Sequence, residues 1–203
     1  MTFEPIGDDE LLVLHDLGYT PEIAAALGHM CVAWAALEWA LFCLFHRLSD
    51  QPTALARASF YSHFSTRSRA ELVLSAASMV LRGSQKREAA YKALDKLLKR
   101  VNRTAKKRNA YIHDPWAMEP IKPETTCQMR LSGGELEGQG EHVAEKDLFQ
   151  LTQQIAVWGE RIQDFDQRIA PLVPASLEKL DHTRAVSLVF AKTKRRRDRP
   201  PAD

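Results

Sequence analysis

Between Pro21 and Leu48 lies the most apolar part of the chain, and its run CVAWAALEWALFCLF at 31–45 is hydrophobic almost all round a helix. A helix without a polar face must be covered on most sides. The segment therefore predicts the central helix of a bundle, the buried side of a dimer, or a membrane span. Thr20 as N-cap, Pro21 at the first helical position and Glu22 in the first turn mark its entry. Glu38 near its centre and His29 and His46 near its ends argue against a span, because a carboxylate in lipid is costly. A core helix is the expectation, and Glu38 then becomes an acid in an apolar wall that needs a partner or a raised pKa.

The rest of the chain reads as further helices of an all-α domain. Of its 203 residues, 45% are hydrophobic, enough for one domain with a sizeable core. After a looser stretch with Pro52 and the aromatic cluster ASFYSHF at 58–64, helical spacing resumes from Ser65 to Leu81 and closes at Gly83. The next helix should run from Gln85 to His113. Its apolar positions Tyr91, Leu94, Leu98, Val101 and Ala105 advance by steps of three and four, and the same count lands on Arg108 and Ile112. Beyond it, TCQMRLS at 126–132 alternates like a half-buried strand, Gly133-Gly134 supplies a turn, and LEGQGEHV is weaker strand material, so a small β-hairpin precedes the last long helix. That helix repeats Leu148, Leu151, Ile155, Trp158, Ile162, Phe165 and Ile169 and stops before Pro171. A short helix is expected at 175–191. The domain boundaries are an N-terminal arm at 1–19, a helical domain at 20–191, and a basic disordered tail at 192–203.

Three cysteines without a CxxC or Cys/His pairing support neither a disulfide framework nor a zinc site, and no cofactor motif is present. The acidic opening MTFEPIGDDE does not read as a secretory leader, so a reducing cytoplasm is expected, with no membrane partner. Net charge is only +2, yet Lys96, Lys99, Arg100, Arg103, Lys106, Lys107 and Arg108 follow one another without an acid, and the tail carries a second basic cluster. Such patches attract polyanions whatever the net charge. Each reads equally as a solvated helix face or a solubilising end.

Within that run, KKRNAYIHDPW at 106–116 has site character. Arg108 falls on the seam, where a guanidinium that cannot lose its charge must find an acid or line a wet cleft, and Glu38 is one conceivable partner. Pro115 disfavours helical geometry at Asp114, which places His113 on the last turn. Asn109 and His113, four apart, share a face. Arginine and histidine five apart is a weak pattern. With only Asn102 and Asn109 in the chain, however, Arg-Asn-x-x-x-His has a chance expectation of roughly one in a hundred or less.

Arg108-Asn109-Ala110-Tyr111-Ile112-His113 resembles the RNxxxH form of the RxxxxH signature of HEPN domains, and the surrounding layout from about residue 20 to 170 is similar to theirs. The resemblance implies an all-α bundle that commonly dimerises and often acts as a metal-independent endoribonuclease in toxin, RNA-processing or phage-defence systems. It implies Arg108 and His113 facing a cleft shared by two subunits, with Asn109 beside them. The chemistry agrees. Cleaving RNA without a metal requires a group that moves protons near neutrality, for which His113 is suited. It also requires a fixed cation on the crowded phosphate, for which Arg108 is suited. Lys106, Lys107 and Arg103 would steer the RNA backbone. Expected partners are RNA, a second copy of the chain, and an antitoxin or regulatory protein. The competing readings are a catalytically inactive HEPN-like module that binds a protein or nucleic acid, and a helical dimerisation scaffold.

Overall fold

The computed structural model describes residues 12–14, 21–113, 116–119, 122–128, 131–132, 135–136 and 141–173. The expected Thr20 cap, the Gly133-Gly134 turn, the helix at 175–191, the tail at 192–203 and most of the N-terminal arm lie outside these residues. Among the described residues five helices dominate, in keeping with an all-α class: α1 (Pro21–Ser49), α2 (Thr53–Tyr61), α3 (Thr66–Val80), α4 (Gln85–His113) and α5 (Glu145–Ile169). A 3-10 turn at Ala170–Leu172, with Pro171 inside it, ends α5.

The chain divides into two compact units, one comprising Met1–Cys31 and Lys106–Thr152, the other Val32–Ala105 and Gln153–Asp203. Among the described residues the first unit carries six short strands: β1 (Leu12–Leu14), β2 (Trp116–Glu119), β3 (Lys122–Gln128), β4 (Leu131–Ser132), β5 (Glu135–Leu136) and β6 (Glu141–His142). Four of them pair antiparallel in the order β1-β2-β3-β6, with Val13 opposite Ala117 and Ala117 opposite Cys127, while β4 pairs with β5. Leu12–Leu14, read from sequence as part of an arm, is thus an edge strand; its run of β-compatible residues finds a ladder that no local spacing announces.

The second unit holds a core built on the remainder of α1. Leu37, Leu41, Phe42, Leu44 and Phe45 are buried, and so are Phe60 of α2, Val73 of α3, Leu94, Leu98 and Val101 of α4, and Ile155 and Ile162 of α5. Phe42 sits at the aromatic centre, with ring centroids 5.3 Å from Trp39, 5.7 Å from Phe60 and 5.8 Å from Tyr61. α1 is long and apolar enough to cross a membrane, and 56% of its most apolar window is buried within the protein.

Local signals set the helix ends. Asp50 takes a left-handed φ of 48°, a conformation aspartate tolerates better than most residues, and α1 stops there. Pro52, with φ −52° and ψ 139°, then supplies an extended residue from which a new helix starts. The stretch after Pro52, read as loose, is α2: its buried Ala56 and Phe60 lie four apart and pin one face, so packing stabilises a helix too short to persist alone. Ser65 caps α3 with a reciprocal box, the Ser68 backbone N–H donating to Ser65 Oγ at 3.0 Å and the Ser65 N–H to Ser68 Oγ at 3.3 Å. Gly83 then turns the chain at φ +89°.

Candidate functional site

α4 buries Leu94, Leu98, Val101 and Ala105, the seam expected from their spacing, and Arg108 continues that line half-buried. Lys106 and Lys107 are exposed in the first unit, as are Asn109 and His113, while Tyr111 and Ile112 are half-buried. Arg108 therefore differs from its lysine neighbours as a seam position requires. Its Nη1 donates to Asn109 Oδ1 at 3.1 Å, so arginine and asparagine form one polar unit. His113 is the basic residue of the last turn, at the carbonyl end of the helix.

An unanticipated residue holds this helix end. Trp116, only 7% exposed, stacks on Tyr111 with ring centroids 6.4 Å apart. Its indole N–H donates to the Tyr111 carbonyl at 3.1 Å. That carbonyl is one of the four that a helix leaves unpaired at its C-terminus, so the tryptophan secures the turn that bears His113. The sequence signal was a tryptophan directly after the helix-stopping proline, but nothing local says which carbonyl it will find. The arrangement can present a guanidinium, a carboxamide and an imidazole from two successive turns, two of the three side chains being open to solvent. Arg103, the remaining residue read as an RNA contact, is exposed on α4 in the second unit.

Glu38 has its partner on α3. Within the second unit Arg69 Nη1 donates to Glu38 Oε1 at 2.5 Å, while Arg69 Nε donates to the His63 carbonyl at 2.9 Å. The same guanidinium lies over the rings of Phe60 at 5.5 Å and Tyr61 at 5.3 Å. Arg69 thus ties α1, α2 and the α2–α3 loop together. Burial, with the Glu38 carboxylate adding to it, raises the pKa of the Tyr61 hydroxyl.

A second buried pair joins α1 to α5. Arg47 donates from Nε and Nη2 to the two carboxylate oxygens of Asp166 at 2.5 and 2.8 Å, and Asp166 is 5% exposed. The hydrogen bond to Asp166 raises the Arg47 pKa. Nearby, burial and then the Asp166 charge push the Cys43 thiol up to about 12, so this cysteine stays a protonated core residue. His46 is 1% exposed and shares a hydrogen bond with Thr53 Oγ1 at 3.3 Å, a structural placement. Among the described residues no group of three His, Cys, Asp or Glu side chains is placed to hold a metal. Searches with this chain find no matching family model, no matching curated protein and no matching solved structure.

Proposed function

We propose that this chain is a metal-independent endoribonuclease of HEPN type, working as a cytoplasmic homodimer in a toxin or phage-defence role, restrained by an antitoxin or other regulatory protein. The observation that carries the reading is the half-buried Arg108 bonded to Asn109 at the end of α4, with His113 exposed on the closing turn. In the reaction a ribose 2'-oxygen attacks the adjacent phosphorus and the bond to the 5'-oxygen breaks. His113 carries the proton away from the 2'-hydroxyl and returns a proton to the leaving 5'-oxygen. Arg108 stabilises the charge on the crowded phosphate by two parallel donations, Asn109 orients it, and Lys106 and Lys107 attract the backbone.

The test is cleavage of a labelled RNA in excess chelator. His113→Ala and Arg108→Ala should each lower the rate by about 100-fold or more while the melting temperature moves by no more than a few degrees. Arg108 spends one of its donors on Asn109 within the same helix, and that bond favours a second reading, a non-catalytic HEPN-like module in which the motif holds the helix end. Under it, both substitutions lower the melting temperature and the wild-type chain cleaves no RNA.

A further inference from the structure

A second basic feature lies wholly within the second unit and shares only Arg103 with the residues named above as RNA contacts. Lys92, Lys96, Arg100 and Arg103 are all exposed on α4, and their spacing of four, four and three aligns them along one side of the helix. At the helical rise the four span roughly 16 Å. Asp95, the acid within this run, is taken up by Lys99 at 2.7 Å. Arg161 on α5 joins the ridge through a shared aromatic ring. Its guanidinium carbon lies 4.8 Å from the Trp158 ring centroid, and that of Arg100 lies 5.8 Å from the same centroid. Trp158 is fixed in turn, its indole N–H donating to Thr104 Oγ1 at 3.0 Å in a buried hydrogen bond.

Anchoring two arginines on one immobilised ring changes what they can do. A surface arginine ordinarily loses side-chain freedom when it grips an anion. Here ring attraction has already limited that freedom, and among the described residues neither Arg100 nor Arg161 has a carboxylate within salt-bridge distance. Two oriented forks of N–H donors remain available beside a line of cations. Glu160 and Asp164 are exposed beside Arg161 along α5, so the ridge is carried by α4, with Arg161 the contribution from the neighbouring helix.

We propose that this ridge is a binding track for the sugar-phosphate backbone of single-stranded RNA, with Arg100 and Arg161 as paired phosphate clamps on Trp158. At roughly 3.4 Å per nucleotide along a strand, the ridge covers about five nucleotides, within the range of single-strand sites. Guanidinium groups also offer flat faces for unstacked bases, which an acidic protein surface would not use. The track extends the proposed reaction to a surface outside its motif, and binding there does not require that the motif cleaves.

The experiment measures fluorescence anisotropy of a fluorescein-labelled RNA of about twelve nucleotides and mixed sequence, in chelator, with full-length His113→Ala as the parent so that the probe stays intact. Adding Arg100→Ala and Arg161→Ala together should weaken binding at least tenfold and reduce the salt slope by about 1.4, since each single-strand phosphate contact contributes about 0.7. Lys86→Ala, at the exposed start of α4, should leave affinity within twofold. If the double substitution also stays within twofold, or if polyglutamate competes as well as unlabelled RNA, the track is overturned. Cleavage by wild type is scored separately: a chain that binds through the ridge but cuts nothing sinks the nuclease reading and leaves the track standing.

Discussion

Asp166 and Cys43 show how a few buried atoms govern stability around α1. Removing the carboxylate in Asp166→Ala leaves the Arg47 guanidinium with its hydrogen bonds broken in a mostly buried setting. The expected cost is about 3 kcal/mol, at the lower end for a buried pair because Arg47 keeps some solvent access; urea unfolding measures it. Cys43 makes a pH prediction with a definite sign. Its thiol titrates near 9 in the unfolded chain and near 12 in the folded one. From about pH 9 upward the unfolded chain loses a proton that the folded chain keeps, so stability falls as pH rises through that window. Comparing wild type with Cys43→Ala isolates the effect, because the variant should lose less stability between pH 8 and pH 10. The exposed Cys31 should react with a thiol reagent in the folded chain while the buried Cys43 stays protected until the chain unfolds.

Among the elements, α2 depends most on its neighbours. It is nine residues long with one fully buried large side chain, Phe60, which packs against Phe42 and Phe45 and lies under Arg69. Phe60→Ala should cost about 4 kcal/mol, and by loosening α2 it should also raise proteolytic sensitivity around residues 53–65. The turn after α3 has a different origin. A Cβ built on Gly83 meets nothing within 4 Å, so Gly83→Ala should cost about 1 kcal/mol through its φ of +89° alone, read as a shift in the midpoint of a denaturant melt. The face of α5 carries one departure from its expected seam. Spacing put Phe165 inside, yet Phe165 is half-buried and Asp166 takes the buried place because Arg47 waits there. An ion pair formed across 119 residues of chain overrides the local apolar period at that turn.

For the whole molecule, the proposed dimer gives a direct measurement. Light scattering after size exclusion should report twice the 23.0 kDa chain mass at micromolar concentration, and a monomer mass would remove the shared cleft from the proposed reaction. α1 has exposed, uncharged positions at Val32 and Ala35 beside its buried face, which a second copy could cover. The surfaces around α2 expose further apolar groups. Phe64 is 98% and Leu55 53% exposed, and an open groove of about 850 Å³ runs along Thr53, Ala54, Arg57, Ala58 and Tyr61.

Sequence alone determined the long helices and their inner faces, because an apolar period of three and four is a local property and survives any arrangement of neighbours. It also singled out Arg108, Asn109 and His113, since a repeat that places an arginine on an otherwise apolar seam is visible in one helix. Tertiary structure decided what spacing could not reach. Glu38 chose Arg69, Asp166 chose Arg47, Trp158 collected Arg100 and Arg161, and Trp116 found the Tyr111 carbonyl. Charged and aromatic side chains are long and pair by proximity, and proximity between distant segments exists only once the helices have packed. Leu12–Leu14 and α2 belong with these, being too short to hold their conformation without a partner.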